Sequence, residues 1–277
     1  MFEPETLPTP DRDRLSVLVG FILLTPVLLR FVELPPRTFT LMALGSPLSF
    51  TLTGHWVLAT VLPALACSGT NAVLRLHPRM RQPHRPPFYL FWPLPGLTAL
   101  LGAVLLPRLS PWPLWWGGLL LLGAFLTLVV IAEFGAVDPD SFGFPRARLA
   151  LNAIAYGLAF IGFTLIYAAR VRSLVTATAT LGVSLVLAFE LLNTTEAGQR
   201  RSGLYALLVA LLVGESAWAL NYWTISPWTG GLLLLLLFYL SVGIAQQHLL
   251  ERLNRRVLAE FAVVALVALA LILGFSL

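Results

Sequence analysis

Apolar runs about one bilayer long recur along the chain, each closed by polar residues or prolines. Nine such runs, at about 15–32, 54–74, 88–106, 113–134, 149–169, 173–192, 203–222, 229–249 and 257–276, predict nine α-helices. Each is roughly 17–22 residues, enough to cross ~30 Å of hydrocarbon at ~1.5 Å rise per residue. Pro35-Pro36, Pro78, Pro86-Pro87, Pro107, Pro111, Pro145 and Pro227 punctuate the connections. Pro26, Pro63, Pro93 and Pro95 fall inside the predicted helices, where local bends are expected. Residues 38–53 break the rhythm. They are expected to form a short helix on the membrane surface in preference to a re-entrant loop or a tenth span.

The predicted fold class is therefore all-α: a polytopic membrane helical bundle of about nine transmembrane helices. Residues 15–277 form one domain behind an acidic, proline-bearing tail, residues 1–14. That tail lacks the basic stretch and cleavage site of a signal peptide, so the first span is expected to be retained.

Composition strengthens this picture. Residues are 58% hydrophobic and 11% charged, and mean hydropathy is +0.84. A soluble domain is closer to a quarter charged, and so little charge would not cover the surface of a 277-residue soluble protein. Lipid is the expected solvent. The net charge of +5 comes with 18 arginines and no lysine. These arginines lie in short loops between apolar runs, which favours anionic headgroups as partners and argues against nucleic acid. Cys67 is the only cysteine, so no intrachain disulfide is available, and it reads as a small packing residue.

With the N-terminus inside, 13 arginines fall in inner segments and 5 at outer ends. The positive-inside rule then predicts a cytoplasmic N-terminus and an external C-terminus in a bacterial inner membrane. The loop from Arg75 to Arg85 is the strongest contributor.

Two of the predicted helices resemble each other. Gly117–Ala132 and Gly230–Ala245 match at ten of 16 positions without a gap, and the residues that follow are Glu133 and Gln246. Ser110-Pro111-Trp112 and Ser226-Pro227-Trp228 stand just upstream. Glu190 lies midway between Glu133 and Gln246. Four hairpin repeats in parallel orientation plus a ninth helix would give this spacing.

Ionisable residues inside hydrocarbon cost roughly 2.5–3.5 kcal/mol on insertion scales, so each suggests a compensating role. Glu215 lies deepest, near the middle of the seventh run, with Ser216 and Asn221 toward the outer end. It reads as a ligand or proton site, or as a protonated acid bonded to a neighbouring helix. Asn71, Glu133, Asn152, Glu190, Gln246, Gln247, His248 and Glu260 gather at inner ends. They form either a polar vestibule or the ordinary membrane boundary. The candidate ligand-binding residues are Glu215, Asn221, Glu133 and Glu190. Arg30 and His55 sit at outer helix ends, where snorkelling to headgroups is the default. Trp112, Trp115, Trp116, Trp223 and Trp228 form an interfacial belt, not an aromatic cage.

The chain has no His-Glu-x-x-His motif, no Gly-x-Ser-x-Gly elbow and no Walker loop. The histidines are too scattered for paired haem ligands on one helix. No metal site, catalytic residue or cofactor is assigned. Asp138-Pro139-Asp140 resembles the acidic pairs of some lipid-modifying enzymes, although N-capping of the fifth helix explains it as well.

Three strings, Ile131–Asp140, Trp218–Trp223 and Ile244–Leu250, resemble a family of bacterial membrane proteins defined only as a domain of unknown function. The resemblance implies a multi-span fold over most of the chain and no activity.

The leading expectation is a non-enzymatic membrane transporter or binding protein for a small or lipophilic molecule, with membrane lipid as its surroundings. One alternative is a lipid-modifying enzyme, which needs Asp138, Asp140 and loop arginines to converge on a cleft. The other is a structural subunit of a membrane complex.

Overall fold

The computed structural model describes residues 12–32, 35, 37–43, 46–82, 86–193 and 198–276. The first eleven residues of the tail, Pro36, and His84 and Arg85 of the arginine-rich loop lie outside the described residues.

The described residues form nine α-helices: α1 (Arg12–Phe31), α2 (Gly54–Leu74), α3 (Pro93–Leu105), α4 (Trp112–Gly135), α5 (Phe144–Ala168), α6 (Ser173–Leu192), α7 (Gln199–Leu220), α8 (Pro227–Leu249) and α9 (Arg255–Ser276). Each stands where the apolar pattern placed one. Seven of them, α1, α2 and α4 to α8, are long and apolar enough to cross a membrane. α3 is shorter, 13 residues, extended by a 3-10 turn over Leu106–Arg108. Seven such helices point to a multi-pass membrane protein.

The caps follow from residue chemistry. Pro93 and Pro95 do not bend a helix. Pro93 begins α3, where its missing N–H and fixed φ are no handicap. Pro26 and Pro63 do lie inside α1 and α2. Ser226 caps α8, its hydroxyl accepting the Thr229 N–H at 3.2 Å. The two Ser-Pro-Trp strings thus mark the starts of α4 and α8.

Residues 38–53 are not helical. β1 (Arg37–Ala43) and β2 (Ser46–Leu52) pair antiparallel, with Arg37 opposite Leu52 and Ala43 opposite Ser46. Threonines alternating with apolar residues at Thr38-Phe39-Thr40-Leu41 give a period of two that suits a strand.

The chain divides into two compact units between Leu151 and Asn152, within α5. In the first, α1 to α4 enclose a core around Ile22, Leu62, Ala99 and Leu126. α3 crosses α4 closely at Gly102, where any Cβ would lie 2.6 Å from Leu122. A second cluster, including Leu74, Met80, Phe91, Val130 and Phe134, fills the end where α2 and α4 terminate. In the second unit α6 packs most extensively on α7. At Gly214 a Cβ would meet the Ala177 carbonyl at 3.2 Å, so glycine permits that approach.

Candidate functional site

The site with the most converging chemistry lies at the end of the first unit where α2 and α4 finish. α2 stops at Leu74, and the chain turns through His77 into a 3-10 turn, Pro78–Arg81. The His77 ring caps that turn, Nδ1 accepting the Arg79 N–H at 3.2 Å. The ring is 3% exposed and stands edge-on to Phe134 of α4, centroids 4.8 Å apart. Burial pushes its pKa below the ordinary 6.5, and nearby Arg79 adds to that, while Asp138 opposes.

Arg79 then reaches the loop between α4 and α5. Its guanidinium donates to Asp138 at 2.5 Å and to Asp140 at 3.0 Å. Both carboxylates raise the arginine's pKa. The Asp140 N–H also donates to the Asp138 carboxylate, at 3.3 Å. Asp138 and Asp140 are therefore bound to Arg79 and do not serve primarily as the cap of α5, which begins at Phe144.

Beside this clasp is a cavity of about 570 Å³. Its concavity comes from small residues: Ala124, Gly135, Gly143, Ala147 and Ala150 line it, and Gly135 approaches Ala147 too closely for larger side chains. Apolar walls come from Leu128, Ile131 and Phe142, and the polar groups are His77, Thr127, Ser141 and Arg146. Leu128 and Ile131 are exposed large apolar residues, so the cleft opens along the flank of α4. The Arg146 guanidinium lies 5.9 Å from the Phe142 ring centroid. The result is a greasy trough with one cation at its end, a chemistry suited to an amphiphile with an acidic group.

The candidate residues from sequence fall elsewhere. Glu133 is 1% exposed within α4, and Glu190 is 5% exposed within α6. Both side chains are therefore shielded from solvent. Glu215 is exposed on α7, on the side carrying Leu208, Leu212 and Trp218, and it is not among the residues lining this cleft. Asn221 donates to Ser173 at 2.8 Å and joins the end of α7 to the start of α6. Asn71 accepts from the Trp92 indole at 2.8 Å, and Glu260 pairs with Arg256 at 3.5 Å. Trp115 is 2% exposed, so it belongs to the core and not to a surface belt.

The chain belongs to the DUF5656 family. That family is described as a protein of unknown function, and its model matches residues 34–274. The resemblance to a family of unknown function is thereby borne out. No curated protein matches the chain, and no solved structure does. The matched region takes in both units, including the clasp and the cleft.

Arg146 and His77 were not singled out in the sequence. Arg146 reads there as one more positive-inside arginine and His77 as one scattered histidine. The sequence signals for this region were the Asp138 and Asp140 pair and scattered small residues such as Ala124, Gly135, Ala147 and Ala150, which are common in membrane helices.

Proposed function

We propose that this protein is a membrane-embedded binding protein for a lipophilic molecule bearing an anionic group, held in the cleft formed by α4 and the first two turns of α5. The observation that carries this reading is the cavity of about 570 Å³, mostly apolar in its lining and bordered by Arg146 and His77. Its size falls within the ~300–1,000 Å³ typical of ligand sites. Its flank opens past exposed Leu128 and Ile131, so a ligand enters sideways from lipid, and its acidic group meets a guanidinium at the end. Transport of the same ligand is the further step of this reading. Glu133, Glu190, Glu215 and Asn221 are not needed for ligand contact.

A lipid-modifying enzyme is the second reading, favoured by one observation: Asp138, Asp140 and Arg79 converge beside the cleft. The clasp argues for binding first, because each carboxylate already has Arg79 as its counter-charge. Catalysis by the acidic pair would require Arg79 to swing away.

The test is retention of phosphatidylglycerol by the purified full-length protein, read by native mass spectrometry. Arg146→Gln is expected to weaken retention about tenfold, in keeping with the loss of a charge-assisted contact. Undiminished retention in that variant would remove the cleft from consideration. Turnover of the lipid that is abolished by Asp138→Asn would favour the enzyme.

A further inference from the structure

The opposite end of the first unit holds a second cluster that the cleft does not use. α1 and α2 run antiparallel, Leu18 lying against Gly69, so the last turn of α1 and the first turn of α2 share one end. Arg30 and His55 come together there with the start of α4. They border a cavity of about 480 Å³ with Thr53, Leu58, Leu106 and Trp115.

The disposition of Arg30 is the informative feature. Its guanidinium carbon lies 5.5 Å from the ring centroids of both Trp112 and Trp115. Trp115 is buried, so one of those rings is held firmly. An arginine that merely snorkels extends its head toward water. A guanidinium within 5.5 Å of two indole centroids is instead drawn to the cavity wall by cation–π attraction, where its charge and N–H donors suit phosphate or carboxylate oxygens. His55 adds a second nitrogen donor on the cavity wall. The first turn of α2 carries no acidic residue that would compete for the site.

We propose that the Arg30–His55 cavity is a second anion site, which binds a phosphate group carried either by an amphiphile or by a free ion. The first unit then holds a phosphate-receptive site at each end: Arg30 with His55 at one, Arg146 with His77 at the other. Arg30 lies ahead of the region matched by the family model and His55 within it. The proposal does not rest on the cleft reading.

Native mass spectrometry of the full-length protein in detergent separates the two sites. With phosphatidylglycerol, the unsubstituted protein is expected to retain two lipids, Arg30→Gln one, and Arg30→Gln with Arg146→Gln none. Diacylglycerol, which carries no phosphate, should be retained about tenfold less, and equal retention of it counts against the site. His55→Gln, at an exposed position, is expected to weaken the second lipid several-fold without affecting folding, and it keeps the test decisive should Arg30→Gln misfold. Inorganic phosphate bound in place of the second lipid, and lost in Arg30→Gln, supports the site with a free ion as its occupant. Undiminished binding of both lipid and phosphate in Arg30→Gln and in His55→Gln overturns it. Loss in Arg30→Gln alongside full retention in Arg146→Gln would sink the cleft reading and leave this one standing.

Discussion

Arg79 donates to Asp138 across 59 residues of sequence, tying the turn after α2 to the turn after α4. Both groups are about a third exposed, so the pair is partly shielded from solvent. The same guanidinium reaches Asp140, whose side chain is 85% exposed. The clasp fixes one wall of the cleft, because His77 precedes Arg79 by two residues and Ser141 follows Asp140.

Exposed ion pairs contribute roughly 0.2–1 kcal/mol, and more where geometry and partial burial help. Arg79→Gln is therefore expected to lower stability by about 1 kcal/mol. Asp140→Asn should change it by less than ~0.5 kcal/mol. Thermal unfolding in detergent measures both. Equal losses from the two substitutions would show that Asp140, and not Asp138, carries the clasp.

The clasp also marks where sequence legibility ends. Helix positions were readable because an apolar run of bilayer length leaves the backbone few alternatives. α2 and α6 begin and end at the residues expected, Gly54–Leu74 and Ser173–Leu192. The hairpin at residues 37–52 was missed because its alternation is short and flanked by helical hydrophobicity. The pairing of Arg79 with Asp138 was not readable either. Many arginines stand in the loops, and nothing local selects which one meets which acid. Glu215 drew attention by its depth in an apolar run, but one-dimensional depth does not report which face of α7 carries the residue.

His77 gives a pH dependence with a definite sign. Its folded pKa lies below 6.5, lowered by burial and by Arg79, and partly restored by Asp138. Below pH ~6.5 the unfolded chain takes up a proton that the folded state resists. Stability should hold above pH 7 and fall as pH drops through 6.5. His77→Asn keeps an acceptor for the Arg79 N–H and removes the titrating group. Its melting temperature should fall less between pH 7 and 5.5. An unchanged slope would assign the titration to other groups.

Tyr167 anchors the second unit. Its hydroxyl lies 3.0 Å from the Leu220 carbonyl and 2.8 Å from that of Trp223, so it closes the end of α7. Tyr167→Phe deletes the donor and leaves both carbonyls short of it, which should cost about 1–2 kcal/mol. A chemical-denaturation series read by tryptophan fluorescence measures this. No change would mean those carbonyls are satisfied by other donors.

Gly231 of α8 abuts Thr164 of α5 so closely that a methyl group would overlap the threonine hydroxyl and press on its Cα. Gly231→Ala is expected to destabilise by about 1–3 kcal/mol through overpacking. Gly157, with open space at its Cβ position, is the control: Gly157→Ala should be neutral or mildly stabilising. Equal melting temperatures for the two variants would contradict the packing described.

Glu215 stands on an exposed face of α7 and outside the cleft lining. Glu215→Gln should leave phosphatidylglycerol retention within about twofold of the parent. A loss comparable to that of Arg146→Gln would return Glu215 to the ligand site.

Photocrosslinking shows most directly whether an amphiphile occupies the trough. Phosphatidylglycerol with a diazirine near its acyl terminus would be reconstituted with the full-length protein, irradiated, and its adducts mapped by peptide mass spectrometry. Adducts concentrated at Ala124, Leu128 and Ile131, and reduced in Arg146→Gln, are the predicted result. Labelling spread evenly over exposed positions such as Leu120, Leu207 and Leu266, and indifferent to Arg146, would contradict it.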